Sequence, residues 1–125
     1  RKPLGERRSF TTKILPNRAS FFVFYPRSVP SAQLAMEKAI VPAGSLAKAR
    51  LSVPGLAGEH AFRIRAKAEG KELEWVNQIV LVGRDGTEFD LPVAYNDPQG
   101  KWEITATDLF TNAAAVAKLD VRGRP

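Results

Sequence analysis

The chain has 125 residues, no cysteine, one histidine, and 19 basic against 13 acidic side chains, for a formal net charge of +6. That length is about one domain and is enough to bury a real hydrophobic core. The lack of cysteine excludes disulfides, Cys-ligated metal and thiol chemistry, and no apolar run approaches the roughly 18–20 residues that a membrane-crossing helix needs.

The charge is unevenly placed. Arg1, Lys2, Arg7, Arg8, Lys13, Arg18 and Arg27 stand against Glu6 alone and account for the whole excess, while the remaining 98 residues carry 12 basic and 12 acidic side chains. The part that folds has no net basic field, so nucleic acid is not an expected partner; such modules set their charge on a folded face with stacking aromatics or a groove-entering helix. Residues 1–18 are read as a basic arm broken by Pro3, Gly5, Pro16 and Asn17, with room for one short strand over Ser9 to Leu15. Residues 19–125 are read as the folded domain.

Phe21-Phe22-Val23-Phe24-Tyr25 is the first dense apolar run, made of strand formers and apolar on both faces. It is expected to lie between two layers, or to dock on a neighbouring domain or subunit through Phe21, Phe22 and Phe24. Ala32 to Ile40 fits two patterns. Ala32, Ala35, Met36, Ala39 and Ala43 share a helical face that Ser31 would cap, yet Pro30 and Pro42 confine the segment and everything after it is β-patterned. A strand is expected, with the helix left open.

From Ala43-Gly44 onward the alternation is regular. Ala47, Ala49, Leu51 and Val53 face inward until Pro54-Gly55; His60, Phe62, Ile64, Ala66 and Ala68 do the same opposite Arg63, Arg65 and Lys67. Leu73 to Val82 is apolar on both sides and reads as a central or covered strand. Gly83-Arg84-Asp85-Gly86 signals a hairpin with positive φ at both turn centres. Phe89, Leu91 and Val93 lead to the Asn96-Asp97-Pro98-Gln99-Gly100 turn, then Trp102, Ile104 and Ala106 alternate. Ala115, Ala117, Leu119 and Val121 close the series, their alanines leaving space for the Trp102 indole. About seven to eight strands with turns every 8–14 residues make an all-β, antiparallel immunoglobulin-like sandwich.

Chemistry is sparse. A single His60 without cysteine cannot build a nitrogen- or sulfur-ligated zinc site, and no nucleophile elbow or phosphate loop is present. The pairs Glu72/Glu74 and Glu88/Asp90 read as solvated strand faces, and Asp85, Glu88, Asp90 and Asp97 lack calcium-loop spacing. No catalytic residue, metal ligand or cofactor is therefore assigned. Trp75, Tyr25 and Tyr95 are the candidates for stacking on a sugar ring.

Leu91-Pro92-Val93-Ala94-Tyr95-Asn96-Asp97-Pro98, Gly100-Lys101-Trp102 and Thr105-Ala106-Thr107-Asp108-Leu109-Phe110-Thr111 resemble the closing strands of β-sandwich accessory domains. Such domains lie towards the C-terminal end of large bacterial multidomain proteins, some related to β-galactosidase-type glycoside hydrolases. Asn112 stands where that family often has glycine. The resemblance implies a non-catalytic accessory module, with neighbouring domains, a subunit or a polysaccharide as partner. Its parent is expected to be a hydrolase-like protein that is secreted, periplasmic or on the cell surface. The chain begins without Met and ends in Gly123-Arg124-Pro125, which reads as a piece excised from that parent.

Overall fold

The computed structural model describes residues 4–24 and 28–123. Nine strands form among them: β1 (Gln33–Met36), β2 (Ile40–Pro42), β3 (Leu46–Ser52), β4 (His60–Ala68), β5 (Lys71–Glu72), β6 (Gln78–Val82), β7 (Thr87–Pro92), β8 (Gly100–Asp108) and β9 (Ala114–Arg122). They make two stacked layers, a smaller sheet ordered β1-β3-β7 and a larger one ordered β2-β9-β8-β4, with β5 and β6 both on the far side of β4. Every pairing is antiparallel except β2 with β9. This is an immunoglobulin-like sandwich. The segment Ala32 to Ile40 is strand, not helix: its first part pairs with β3 and its continuation crosses to the other sheet to pair with β9.

The period-two alternation gives each strand one buried face. Ala47, Ala49, Leu51 and Val53 meet Phe62, Ile64, Ala66, Trp102, Ile104, Leu119 and Val121 in one core. Trp102 is fully buried, and its cross-strand neighbours are Ala68 and Leu119. Of the alanines expected beside the indole, Ala117 stands one step diagonal to it, opposite Ile104, and Ala115 lies opposite Ala106.

Three further expectations change. The Leu73 to Val82 run is not one central strand, because a 3-10 turn at Glu74–Val76 interrupts it and β6 lies at the sheet edge. In a continuous strand Leu73 and Val76 would point to opposite faces; the turn, closed by Val76 N–H donating to Leu73 C=O, buries both. Ile79 and Leu81 are left exposed. The Gly83–Gly86 turn forms, with Gly86 N–H donating to Gly83 C=O, but only Gly86 has positive φ and the turn carries the chain from one sheet to the other. It is a corner, not a hairpin. Finally, Phe21 to Phe24 forms no strand, and among the described residues no strand precedes Gln33.

The sandwich is closed along one side by side chains. Gln78 Nε2 donates to Asp90 C=O at 3.0 Å, and Thr87 Oγ1 donates to Leu81 C=O at 2.7 Å, which ties the β6 edge to the β7 edge.

Candidate functional site

One constellation is built on the loop from Ala94 to Gln99 between β7 and β8. Asp97 is buried, and its Oδ2 accepts the Ala94 N–H at 2.7 Å and the Trp75 Nε1–H at 3.4 Å. From the core side, Trp102 Nε1 donates to Pro98 C=O at 2.8 Å. Two indoles therefore hold one loop, and between them Asp97 closes it on Ala94 in both directions, its Oδ2 accepting the Ala94 N–H and its own N–H donating to Ala94 C=O at 3.3 Å. This is the physical content of the Asn-Asp-Pro-x-Gly-x-Trp run.

The same loop carries Tyr95, 68% exposed, while Trp75 is 55% exposed. Tyr95 lies against Gly44, whose φ is +79° and where an added Cβ would run into the Tyr95 ring. Only glycine permits both the backbone and that approach. Two of the three predicted stacking residues are thus held by one loop with part of each ring open. Tyr25 lies outside the described residues.

A second constellation went unread in the sequence. His60 Nδ1 and Asp108 Oδ2 are 3.0 Å apart, with side-chain exposures of only 2% and 3%. Asp108 Oδ1 also accepts the Phe110 N–H at 2.8 Å and the Thr111 N–H at 3.4 Å, so the carboxylate caps the turn into β9. The His60 ring meets Phe110 edge-on at 5.2 Å. Asn112, with φ +64°, completes the turn in the left-handed region that asparagine tolerates. The pair is sealed from solvent, and a general base needs access to substrate; its work is to order the β8–β9 turn. The signal was present: His60 opens one inward-facing set, and the set Trp102, Ile104, Ala106 extends one step to Asp108.

The third is the segment before β1, the expected arm of residues 1–18 together with the aromatic run that follows it. Phe21, Phe24 and Phe22 are 90%, 70% and 41% exposed. Phe22 and Phe24 cluster with Phe10 at centroid separations of 4.8 and 5.7 Å, across a turn in which Arg18 N–H donates to Leu15 C=O. Sequence reading missed Phe10, although it mirrors Phe22 and Phe24 across Pro16-Asn17. Arg7, Arg8, Lys13 and Arg18 of the arm are exposed.

The acidic residues are dispersed. Glu72 is bonded to Asn77 and lies 3.5 Å from Arg65, and Glu88 pairs with Arg50 at 3.1 Å. Among the described residues no group of three or more His, Asp or Glu is arranged to hold a metal ion. None of the described helices is long and apolar enough to cross a membrane.

No protein-family model and no curated protein matches the sequence. Among solved structures, the chain is similar to the CARDB domain of a Pyrococcus furiosus protein in complex with di-metal ions, at 19% identity and a TM-score of 0.44, over 78% of this chain and 97% of that one. It is also similar to a β-glucosidase from Listeria innocua in complex with isofagomine, at 15% identity and a TM-score of 0.45. That likeness covers 97% of this chain but only 20% of the β-glucosidase.

Proposed function

We propose that this chain is a non-catalytic accessory module of a larger protein: a rigid sandwich whose N-terminal arm makes the contact with a neighbouring domain or subunit. The observation that carries this reading is the open aromatic run, Phe21 to Phe24, on a segment outside both sheets. Phenylalanine rings left in water forgo about 25 cal/mol per Å² of apolar area, a cost that docking removes. The polar bonds around Asp97, Trp102 and Asp108 serve the sandwich's own loops and turns, as a scaffold requires. The parent is proposed to be an exported bacterial protein of hydrolase type, on the resemblance of residues 91–111.

The test uses a hydrophobic dye and amide exchange. Replacing Phe21 and Phe24 by serine is expected to lower dye binding by the isolated chain, and the Phe21–Phe24 amides are expected to become protected in the whole parent chain or with its partner subunit. Unchanged dye binding together with fast exchange in the longer chain overturns the reading.

A second reading has its own support: Tyr95 on the β7–β8 loop and Trp75 on the 3-10 turn, tied to that loop through Asp97, each leave part of a ring open, and open aromatic rings are what stacks on sugar. Titration with soluble and insoluble polysaccharides tests it. Retention on one of them that is lost in both Trp75→Ala and Tyr95→Ala supports carbohydrate binding, and no retention on any removes it.

A further inference from the structure

Part of the sandwich's basic charge is neutralised at close range. Arg50 lies 3.1 Å from Glu88, Arg65 3.5 Å from Glu72, and Arg122 3.2 Å from Asp120. The segment before β1 is different. Arg7, Arg8, Lys13 and Arg18 are exposed there, Glu6 is its only acidic residue, and among the described residues no ion pair reaches any of the four cations.

The same segment gathers its rings. The turn in which Arg18 N–H donates to Leu15 C=O folds it back, so that Phe10 meets Phe22 and Phe24 at centroid separations of 4.8 and 5.7 Å, with Phe21 open beside them. Arg7, Arg8 and Lys13 each stand within three residues of Phe10, and Arg18 stands three before Phe21. Three residues of chain span at most about 11 Å, so positive charge rims the rings. Aromatic centres with arginine around them are the groups that most often carry binding at protein interfaces, and the surface that complements a positive rim is negative.

We infer, on the docking reading proposed above, that the surface receiving this segment on the neighbouring domain or subunit is acidic: carboxylates set around an apolar depression that takes Phe21, Phe22 and Phe24. A second copy of this chain offers no such surface. Residues 28–125 carry 12 acidic against 12 basic side chains, and Glu72, Glu88 and Asp120 are already paired. A protein is favoured over an anionic lipid surface on two counts. Five of the seven cations up to Arg27 are arginine, the bias that protein interfaces show, and the rings are drawn into a cluster shaped for a socket instead of being spread along a face that lies in a membrane plane.

Calorimetric titration of the full chain with poly-glutamate, with a random copolymer of glutamate and tyrosine, and with vesicles of phosphatidylglycerol and phosphatidylcholine tests this. The copolymer is expected to bind more tightly than poly-glutamate, with an affinity that falls as salt is raised from about 0.05 to 0.5 M. Replacing Arg7, Arg8 and Arg18 by glutamine is expected to weaken copolymer binding roughly 3- to 100-fold and to flatten the salt dependence, and lysine at the same positions is expected to lose less. Phe21→Ser/Phe24→Ser is expected to bring the copolymer down to the level of poly-glutamate. These residues lie outside both sheets, so the variants keep the fold. A copolymer that binds no better than poly-glutamate, an affinity that ignores the glutamine replacements, or tighter binding to the vesicles overturns the inference. Amide exchange separates the acidic surface from docking itself. Protection of Phe21 to Phe24 in the whole parent chain or with its partner subunit that is unmoved by high salt and by the glutamine replacements leaves docking intact and overturns the acidic surface, whereas no protection at any salt overturns both.

Discussion

Removing the Asp108 carboxylate is the sharpest perturbation of the scaffold. In Asp108→Ala, two short bonds disappear, from His60 Nδ1 at 3.0 Å and Phe110 N–H at 2.8 Å, along with the longer one from Thr111 at 3.4 Å. Bonds to a charged acceptor contribute about 1.5–3 kcal/mol each, and donors left without a partner in a site this buried add to the loss. Relief of the carboxylate's own desolvation offsets part of it. The net cost is about 3–4 kcal/mol, a large share of the roughly 5–15 kcal/mol that holds a domain together. It corresponds to a fall of about 10–20 °C in Tm for a chain of this size. Urea unfolding followed by far-UV circular dichroism and tryptophan fluorescence measures it. Asp108→Asn keeps an acceptor for Phe110 and is expected to lose less, about 1–2 kcal/mol. A double-mutant cycle with His60→Phe isolates the direct contact, for which a coupling of at least about 1 kcal/mol is expected. A loss below about 1 kcal/mol in Asp108→Ala, or additivity in the cycle, would refute the assignment of this pair to turn stability.

Trp102→Phe is expected to cost about 2–3 kcal/mol in the same urea assay, because it orphans Pro98 C=O and leaves a small void between Ala68 and Leu119; an unchanged midpoint would contradict the packing described. Gly44→Ala is expected to destabilise by about 2 kcal/mol or more, from the positive φ and the clash with Tyr95. Adding Tyr95→Ala should recover the steric part only, and full recovery would show that the backbone is unstrained there. Asn112→Gly should be neutral to within about 0.5 kcal/mol by thermal unfolding while Asn112→Val costs about 1 kcal/mol or more, since φ is +64°; equal effects would contradict the left-handed turn.

The strands from β3 onward were largely legible because a half-buried strand writes its orientation in alternate residues, as from Ala47 to Val53 and from Trp102 to Ala106. What misled was local pattern without tertiary context. The apolar residues of Leu73 to Val82 look continuous, and only the turn that turns Leu73 and Val76 to the same side explains why Ile79 and Leu81 are open. Asp85-Gly86 announces a turn, but a turn does not say whether the next strand returns to the same sheet. Phe21 to Phe24 has the composition of a strand and yet pairs with neither sheet. At the site level, Trp75 and Tyr95 were found by their type, while the loop that holds both depends on Asp97, whose neighbours Asn96, Pro98 and Gly100 had marked it as an ordinary turn residue. His60 and Asp108 lie 48 positions apart and meet only through the β4–β8 register.

Residue-resolved amide exchange of the isolated chain bears most directly on the claim that a closed sandwich carries an undocked aromatic arm. Slow exchange is expected in β4, in β8 and over Leu119 to Val121, with Phe21 to Phe24 exchanging close to the rate of an unstructured peptide. Phe21 to Phe24 protected to the same degree as β4 would contradict it, because the run would then be a strand of the fold and not a surface held ready for a partner.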